Sequence, residues 1–214
     1  MLVQSTLCMA AQEIVSVQTR YAKQGKSLCE AALYGSKRFV EWQHYPRNDL
    51  VDCDSGYEFY YHSHESEGMP MGEHGHFHLF KRSTSAPEKF HHLIGIALNQ
   101  QGLPVRIFTT NQWVTGESMV DAKSVIKALR GFDVATKGRA GPIARWVSAF
   151  TKLFHIEMEN LIQKRDQRII QLKDMMGNLP SVLESKKHHV ITECKIDLFD
   201  RLSEHLSGQN LIKR

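Results

Sequence analysis

The chain has 214 residues, 42% hydrophobic and 23% charged, a composition that is typical of a globular protein and excludes collagen, a coiled-coil rod and a disordered chain. A formal net charge of +4 is too small to indicate a nucleic-acid binder, so no nucleic-acid partner is expected. The four cysteines are isolated from one another, which is typical of a reducing compartment. The sequence has no apolar run of about 18 residues, and its first residues lack signal-peptide character. We therefore expect a cytoplasmic protein with no membrane contact.

Residues 1–37 form a predicted N-terminal helical segment. Apolar residues recur near helical spacing from residue 9 to residue 34, and Gly35 is suited to end a helix. Gly25 lies inside this pattern, where glycine weakens a helix.

Residues 38–117 have the character of a β-rich core. Aromatic and β-branched residues concentrate in five predicted strands, at residues 39–45, 57–64, 74–81, 93–98 and 105–114. Residues 47–56 are rich in Asp, Asn and Ser and are predicted to be a loop, and residues 99–102 form a turn signal. The short connections favour an antiparallel sheet or a partial barrel.

Residues 118–214 return to helical spacing. The pattern predicts helices at residues 121–130, 142–176 and 197–206, with a short strand at residues 189–192. The whole chain, residues 1–214, is therefore predicted to be one α+β domain, in which an antiparallel sheet or partial barrel is flanked by an N-terminal helix and a C-terminal helical region. The long helix 142–176 is expected to pack across the sheet, although a protein partner or a second copy could also dock on it.

Five of the twelve histidines fall within one predicted hairpin, at His62, His64, His74, His76 and His78. Alternate side chains of a strand share a face, so the histidines of each arm lie on one side of it. If His64 lies opposite His74 in an antiparallel pair, then His62 faces His76. In the same register Tyr60 faces His78, and all five imidazoles share one face. The opposite face is predicted to pack on the core with Tyr57, Phe59, Tyr61, Phe77 and Leu79.

A face of five histidines predicts a metal site, because neutral imidazole is the commonest metal ligand in proteins. The nitrogen ligands suit a divalent transition metal, namely Zn, Fe or Mn. Glu73 or Glu67 would then be the catalytic acid or base. Met69 and Met71 add soft ligands that would suit Cu(I), which would indicate a metal carrier instead of an enzyme.

Polar residues elsewhere in the β-rich core are candidates for binding a small-molecule substrate. Asn111 and Trp113 lie at the end of a predicted strand, where polar groups can meet a ligand, although the turn of the strand itself could equally satisfy them. Arg106 and Arg82 could pair with an anionic substrate. Outside the hairpin, a structural role is expected for His91 and His92.

Two short motifs resemble those of known families. His62 and His64, followed by Glu67, resemble the paired-histidine motif of the cupins, which implies a metal on a small β-barrel. The run from His74 to Phe80 is similar to the motif of the histidine triad nucleotide hydrolases and transferases. That resemblance implies that His76 attacks phosphorus, while the histidines on either side of it contact phosphate.

A longer likeness covers about residues 38 to 117. It is carried by residues 44–46, Asp52, residues 60–64, residues 73–78 and residues 108–117. The segment looks like an uncharacterised bacterial family, a conserved domain of unknown function. The likeness implies a shared site but supplies no reaction.

The sequence therefore favours a metal-dependent enzyme or metalloprotein whose site lies on the histidine hairpin. Two alternatives stay open at this point. One is a nucleotide hydrolase or transferase of the histidine triad type, with His76 as nucleophile. The other is a non-enzymatic protein that binds metal or a partner.

Overall fold

Six antiparallel strands form one open sheet, in which the strands lie side by side in chain order. The computed structural model describes residues 2–36, 38–64 and 70–206. The strands are β1 (Tyr45–Asp52), β2 (Tyr57–His62), β3 (Glu73–Arg82), β4 (Phe90–Asn99), β5 (Pro104–Thr110) and β6 (Val190–Lys195). Of the two predicted forms, the structure has the open sheet and not the partial barrel.

Eight α-helices accompany the sheet in the described part of the chain, so the predicted α+β class is confirmed. They are α1 (Leu2–Ala22), α2 (Leu28–Ala32), α3 (Gln112–Thr115), α4 (Ala122–Arg130), α5 (Gly141–Leu153), α6 (His155–Met176), α7 (Leu179–Leu183) and α8 (Leu198–Leu206). Among these helices, none combines the length and apolar character that a membrane crossing would need.

The two faces of the sheet differ because side chains alternate along β2 and β3. One face packs against α5, where Phe77 and Trp146 are in contact, and the predicted apolar set is buried there. The other face carries Tyr60, His62, His76 and His78, and we call it the histidine face. The sequence pattern therefore predicts correctly which side of the hairpin meets the core.

The first strand was predicted in the wrong place. Residues 39–44 are irregular, and β1 begins at Tyr45 and continues through residues that the composition assigned to a loop. β1 is an edge strand with a bulge between Tyr45 and Leu50, and Asp49 has a positive φ of 50°. Since Tyr45 and Leu50 are its only buried residues, β1 lacks the regular alternation that identifies a strand.

Two predicted helices are each divided. Phe154 leaves the helical conformation, with φ −106° and ψ 23°, so the helix predicted over 142–176 is α5 followed by α6. At the N-terminus, Gly25 has a φ of +66° and separates α1 from α2, whose start is stabilised by a capping box of Ser27 and Glu30. The predicted helix starts at Asp121 and Asp197 are confirmed, because the Asp121 carboxylate accepts one backbone N–H and the Asp197 carboxylate accepts two at the first turn.

Candidate metal centre

The register of β2 and β3 brings three histidines together on the histidine face. His62 is paired with His76 and Tyr60 with His78, which confirms the register predicted from alternation. The ring centres of His62 and His76 lie 4.6 Å apart, and those of His76 and His78 lie 4.8 Å apart. Each residue offers a ligand atom within 4.8 Å of the other two, and no other group of this kind occurs in the described residues. We call these three residues the histidine cluster.

The histidine cluster is buried and uncharged. His62, His76 and His78 are 6%, 5% and 1% exposed. Burial lowers the pKa of His62 to about 3, helped by the neighbouring charges of His64 and His44, and it lowers the pKa of the other two well below the usual value. All three imidazoles are therefore neutral at neutral pH, which is the form that binds a metal.

Several nitrogens of the cluster are left without hydrogen bonds. His62 Nε2 and His76 Nε2 lie 2.8 Å apart and share one hydrogen. The other ring nitrogens of these two residues, and His78 Nε2, are buried with no partner in the described residues. A buried polar atom without a partner costs about 1–3 kcal/mol of folding free energy. A ligand that binds these nitrogens would remove that cost.

His92 continues the cluster towards β5. Its Nε2 lies 2.9 Å from His78 Nδ1, and its Nδ1 lies 3.2 Å from Thr110 Oγ1. The backbone N–H of His92 donates to Glu117 across 2.6 Å. Glu117 is buried, and burial raises the pKa of its carboxyl to about 7.

Two further histidines flank the cluster. The His64 ring lies 4.9 Å from the His62 ring and stacks on Trp42. The His44 ring stacks on Tyr60 at 3.6 Å, and its Nδ1 lies 2.8 Å from an Asp49 carboxylate oxygen. Both residues are close enough to the cluster to influence its charge, as the lowered pKa of His62 indicates.

The prediction that all five hairpin histidines share one face is wrong for His74. Its Nδ1 lies 2.8 Å from Tyr61 Oη, and its ring lies 5.1 Å from that of Phe39. A register shift between Glu73 and Gly75 reverses the alternation, and His74 therefore lies on the side of Tyr61 and the core.

Glu73 and Arg106, which were predicted to be a catalytic group and a substrate-binding group, bind each other. The Arg106 guanidinium donates to both Glu73 carboxylate oxygens, at 2.6 and 2.8 Å, and to Glu193 at 2.7 Å. It also lies over the Phe108 ring. The second predicted catalytic residue, Glu67, and also Met69, lie outside the described residues.

The other predicted substrate-binding residues are not brought to the cluster. Arg82 forms an ion pair with Glu58, at distances of 2.6 and 3.1 Å. The buried Asn111 amide donates to the backbone carbonyls of Val182 and Ser185, and the half-exposed Trp113 ring packs under Lys186.

A pocket of about 380 Å³ opens beside the cluster. The sheet contributes His76, His78, Phe108 and Thr110 to the lining of this pocket. Phe108 belongs to β5, the strand that lies between β4 and β6. The rest of the lining that the structure describes comes from His64, Pro70, Glu73, Arg106, Val114, His189, Val190 and Glu193. The volume suits a small molecule that could contact both the cluster and the Thr110 hydroxyl.

Sequence reasoning missed His92 and Glu117. A β-bulge between Leu79 and Phe80 places His92 opposite Phe80, on the histidine face, although its position two residues before the core residue Ile94 predicts the opposite side. The pair His91-His92 beside the histidine hairpin was the one available signal. Glu117 carried no local signal of its burial.

Comparison with protein families gave one match. A family model described as a domain of unknown function (DUF6969) matches residues 8–196. Searches of curated proteins and of solved structures gave no match. The match agrees with the likeness to an uncharacterised family that the sequence motifs indicated.

Proposed function

Because the chain belongs to the family described as a domain of unknown function (DUF6969), we propose a function from the site itself: the protein binds one divalent transition metal through His62, His76 and His78. The observation that carries the proposal is the convergence of three buried, neutral imidazoles whose ligand atoms lie within 4.8 Å of one another. A metal ion would take one nitrogen lone pair from each ring, and His78 Nε2 has no other partner in the described residues.

Zinc suits the cluster better than iron or manganese. The ligand set is all imidazole, since the two carboxylates that line the pocket, Glu73 and Glu193, are held by Arg106. Three histidines are a ligand set of catalytic zinc, whereas manganese prefers carboxylate oxygens and iron sites commonly include one. Tetrahedral zinc with bonds of about 2.0–2.1 Å separates its ligand nitrogens by about 3.4 Å. The Nε2 atoms of His62 and His76 lie 2.8 Å apart, so they would need to separate by roughly half an ångström to bind one zinc ion.

An open coordination position favours an enzyme over a structural metal site. Three protein ligands leave room for water or substrate, and His76 and His78 line a pocket of small-molecule size. His64 lies at the same pocket and is the residue best placed to exchange a proton with metal-bound water. We therefore propose a metal-dependent enzyme that acts on a small molecule.

The alternatives have less support. A nucleotide phosphate beside His76 would need a free cation, but Arg106 is neutralised by two carboxylates. A copper carrier would need thioethers near the cluster, but Met71 is fully exposed.

Metal content and zinc titration test the proposal. Protein purified without an affinity tag should contain one metal per chain, and the apo form should bind one zinc. His62→Ala, His76→Ala and His78→Ala should each weaken zinc binding on the order of 100-fold or more. His74→Ala is the matched control, because this histidine lies in β3 but on the other face, and it should retain the zinc.

Negligible metal in the wild type, together with no zinc uptake by the apo protein, would overturn the proposal. Stable phosphorus on His76 after incubation with a nucleotide, without bound metal, would support the histidine triad alternative instead. Equal loss of zinc in the His74→Ala protein and the cluster variants would show that the cluster is not the site.

A further inference from the structure

A line of three polar groups connects the cluster to the pocket. His78 Nδ1 meets His92 Nε2, and His92 Nδ1 meets Thr110 Oγ1, at 2.9 and 3.2 Å. All three side chains are buried, and Thr110 also lines the pocket. Each neutral imidazole carries one N–H, so the hydrogens along this line must all point in the same direction.

The line has two possible arrangements. In the first, His78 Nδ1–H donates to His92, and His92 Nδ1–H donates to Thr110. In the second, the Thr110 hydroxyl donates to His92 Nδ1, and His92 Nε2–H donates to His78. The two arrangements differ at His78 Nε2, which carries a lone pair in the first and a hydrogen in the second.

A metal at the cluster is compatible with only one arrangement. His78 Nε2 has no other partner in the described part of the structure, and it can bind a metal only through a lone pair. The metal therefore requires the first arrangement, in which the Thr110 oxygen accepts from His92. The Thr110 hydroxyl hydrogen is then free to point into the pocket.

We propose that His92 is a positioning residue that couples metal binding at His78 to the hydroxyl of Thr110. Metal binding fixes the tautomers of both histidines and makes Thr110 a hydrogen-bond donor beside the open coordination position. The pocket then takes a small molecule that carries an oxygen acceptor, such as a carboxylate or carbonyl, next to the metal-bound group. This inference rests on the proposed metal site and adds the ligand chemistry.

Nitrogen NMR of histidine-labelled protein observes the tautomers directly. In the zinc-loaded wild type, Nδ1 should carry the hydrogen in both His78 and His92, and Nε2 of His92 should be bare. A hydrogen on Nε2 of His92 with zinc bound would overturn the inference. This measurement does not depend on whether any variant folds.

Variants test the coupling with zinc and with acetate as a small oxygen acceptor. His92→Leu should weaken zinc binding by about 10- to 100-fold, and His92→Gln, which retains an acceptor for His78, should recover part of it. Thr110→Val should leave zinc affinity within a few-fold but weaken acetate binding to the zinc-loaded protein about tenfold. Thr109→Val is the matched control, since that hydroxyl contacts Thr192 instead of a histidine.

The outcomes separate the two proposals. If the wild type binds no zinc, the metal site itself is wrong. If the wild type binds zinc but His92→Leu binds it equally well, or if Thr110→Val and Thr109→Val bind acetate alike, the metal site stands and the coupling is wrong.

Discussion

Glu117 is a buried carboxyl group whose titration should be visible in the stability of the protein. Burial raises its pKa from 4.5 to about 7, although the His92 N–H and the charge of Arg165 act in the opposite direction. A group whose pKa is higher in the folded state contributes stability below the unfolded pKa and loses it as the pH rises through the folded pKa. The stability due to Glu117 should therefore fall between pH 4.5 and 7.

Glu117→Gln should remove this dependence, because the amide stays neutral. The free energy of unfolding of the wild type minus that of the variant should fall by about 1.4 kcal/mol per pH unit between these values and then level off. Urea unfolding at several pH values measures it, with the exposed Glu184→Gln as control. A difference that is flat with pH would mean that Glu117 is ionised throughout.

Individual site residues could be predicted only where the alternation of a strand is unbroken. His62, His76 and His78 were found because β2 and β3 pair without a shift between residues 57–62 and 76–81. His74 lies beyond a register shift and was assigned to the wrong face. His92 lies beyond another and was given a structural role, because the sequence does not mark where a bulge occurs.

Gly95 in β4 leaves room for an aromatic ring of the neighbouring strand β5 beside the histidine cluster. Gly95 is paired with Phe108, and a Cβ at this position would overlap the Phe108 ring. That ring lies 5.3 Å from the His76 ring and 5.7 Å from the His78 ring. Gly95 therefore allows the aromatic side chain to cover the strand next to the cluster.

Gly95→Ala should displace the Phe108 ring into the pocket and destabilise the fold by about 1–3 kcal/mol. A double-mutant cycle with Phe108→Ala measures the coupling by chemical unfolding. The alanine at position 95 should be tolerated much better when Phe108 is absent. Additive effects would show that the overlap is relieved elsewhere.

Helices and strands were predicted well where their buried residues recur at a single regular spacing. The strands of the hairpin β2–β3 have regular alternation, the helix α4 has helical apolar spacing with an Asp121 cap, and both were found. β1 was misplaced because an edge strand with few buried residues has a loop-like composition. The division at Phe154 was missed because its buried ring continues the apolar stripe from α5 into α6, although the backbone does not continue the helix.

At the scale of the whole molecule, the cluster links the stability of the fold to metal and to acid. Its three histidines come from two strands near the middle of the sheet, so they converge only in the folded chain. Burial lowers their pKa values, so the unfolded chain binds more protons than the folded one once the pH falls below about 6.5. As the pH falls further, the free energy of unfolding of the apo protein should decrease by about 1.4 kcal/mol per pH unit for each of these histidines.

Zinc should act in the opposite direction, because it binds the folded chain. At a free concentration 100 times its Kd, zinc should add about 2.7 kcal/mol and raise the Tm of a chain of this length by about 5–10 °C. Differential scanning calorimetry of apo and zinc-loaded protein from pH 8 to pH 5 measures both effects.

The double variant His62→Ala/His76→Ala should show neither the zinc shift nor the full acid slope, and the Glu117 contribution cancels in this comparison. A zinc shift that persists in the double variant would place the binding site elsewhere, and an unchanged acid slope would mean that these imidazoles are not neutral in the fold.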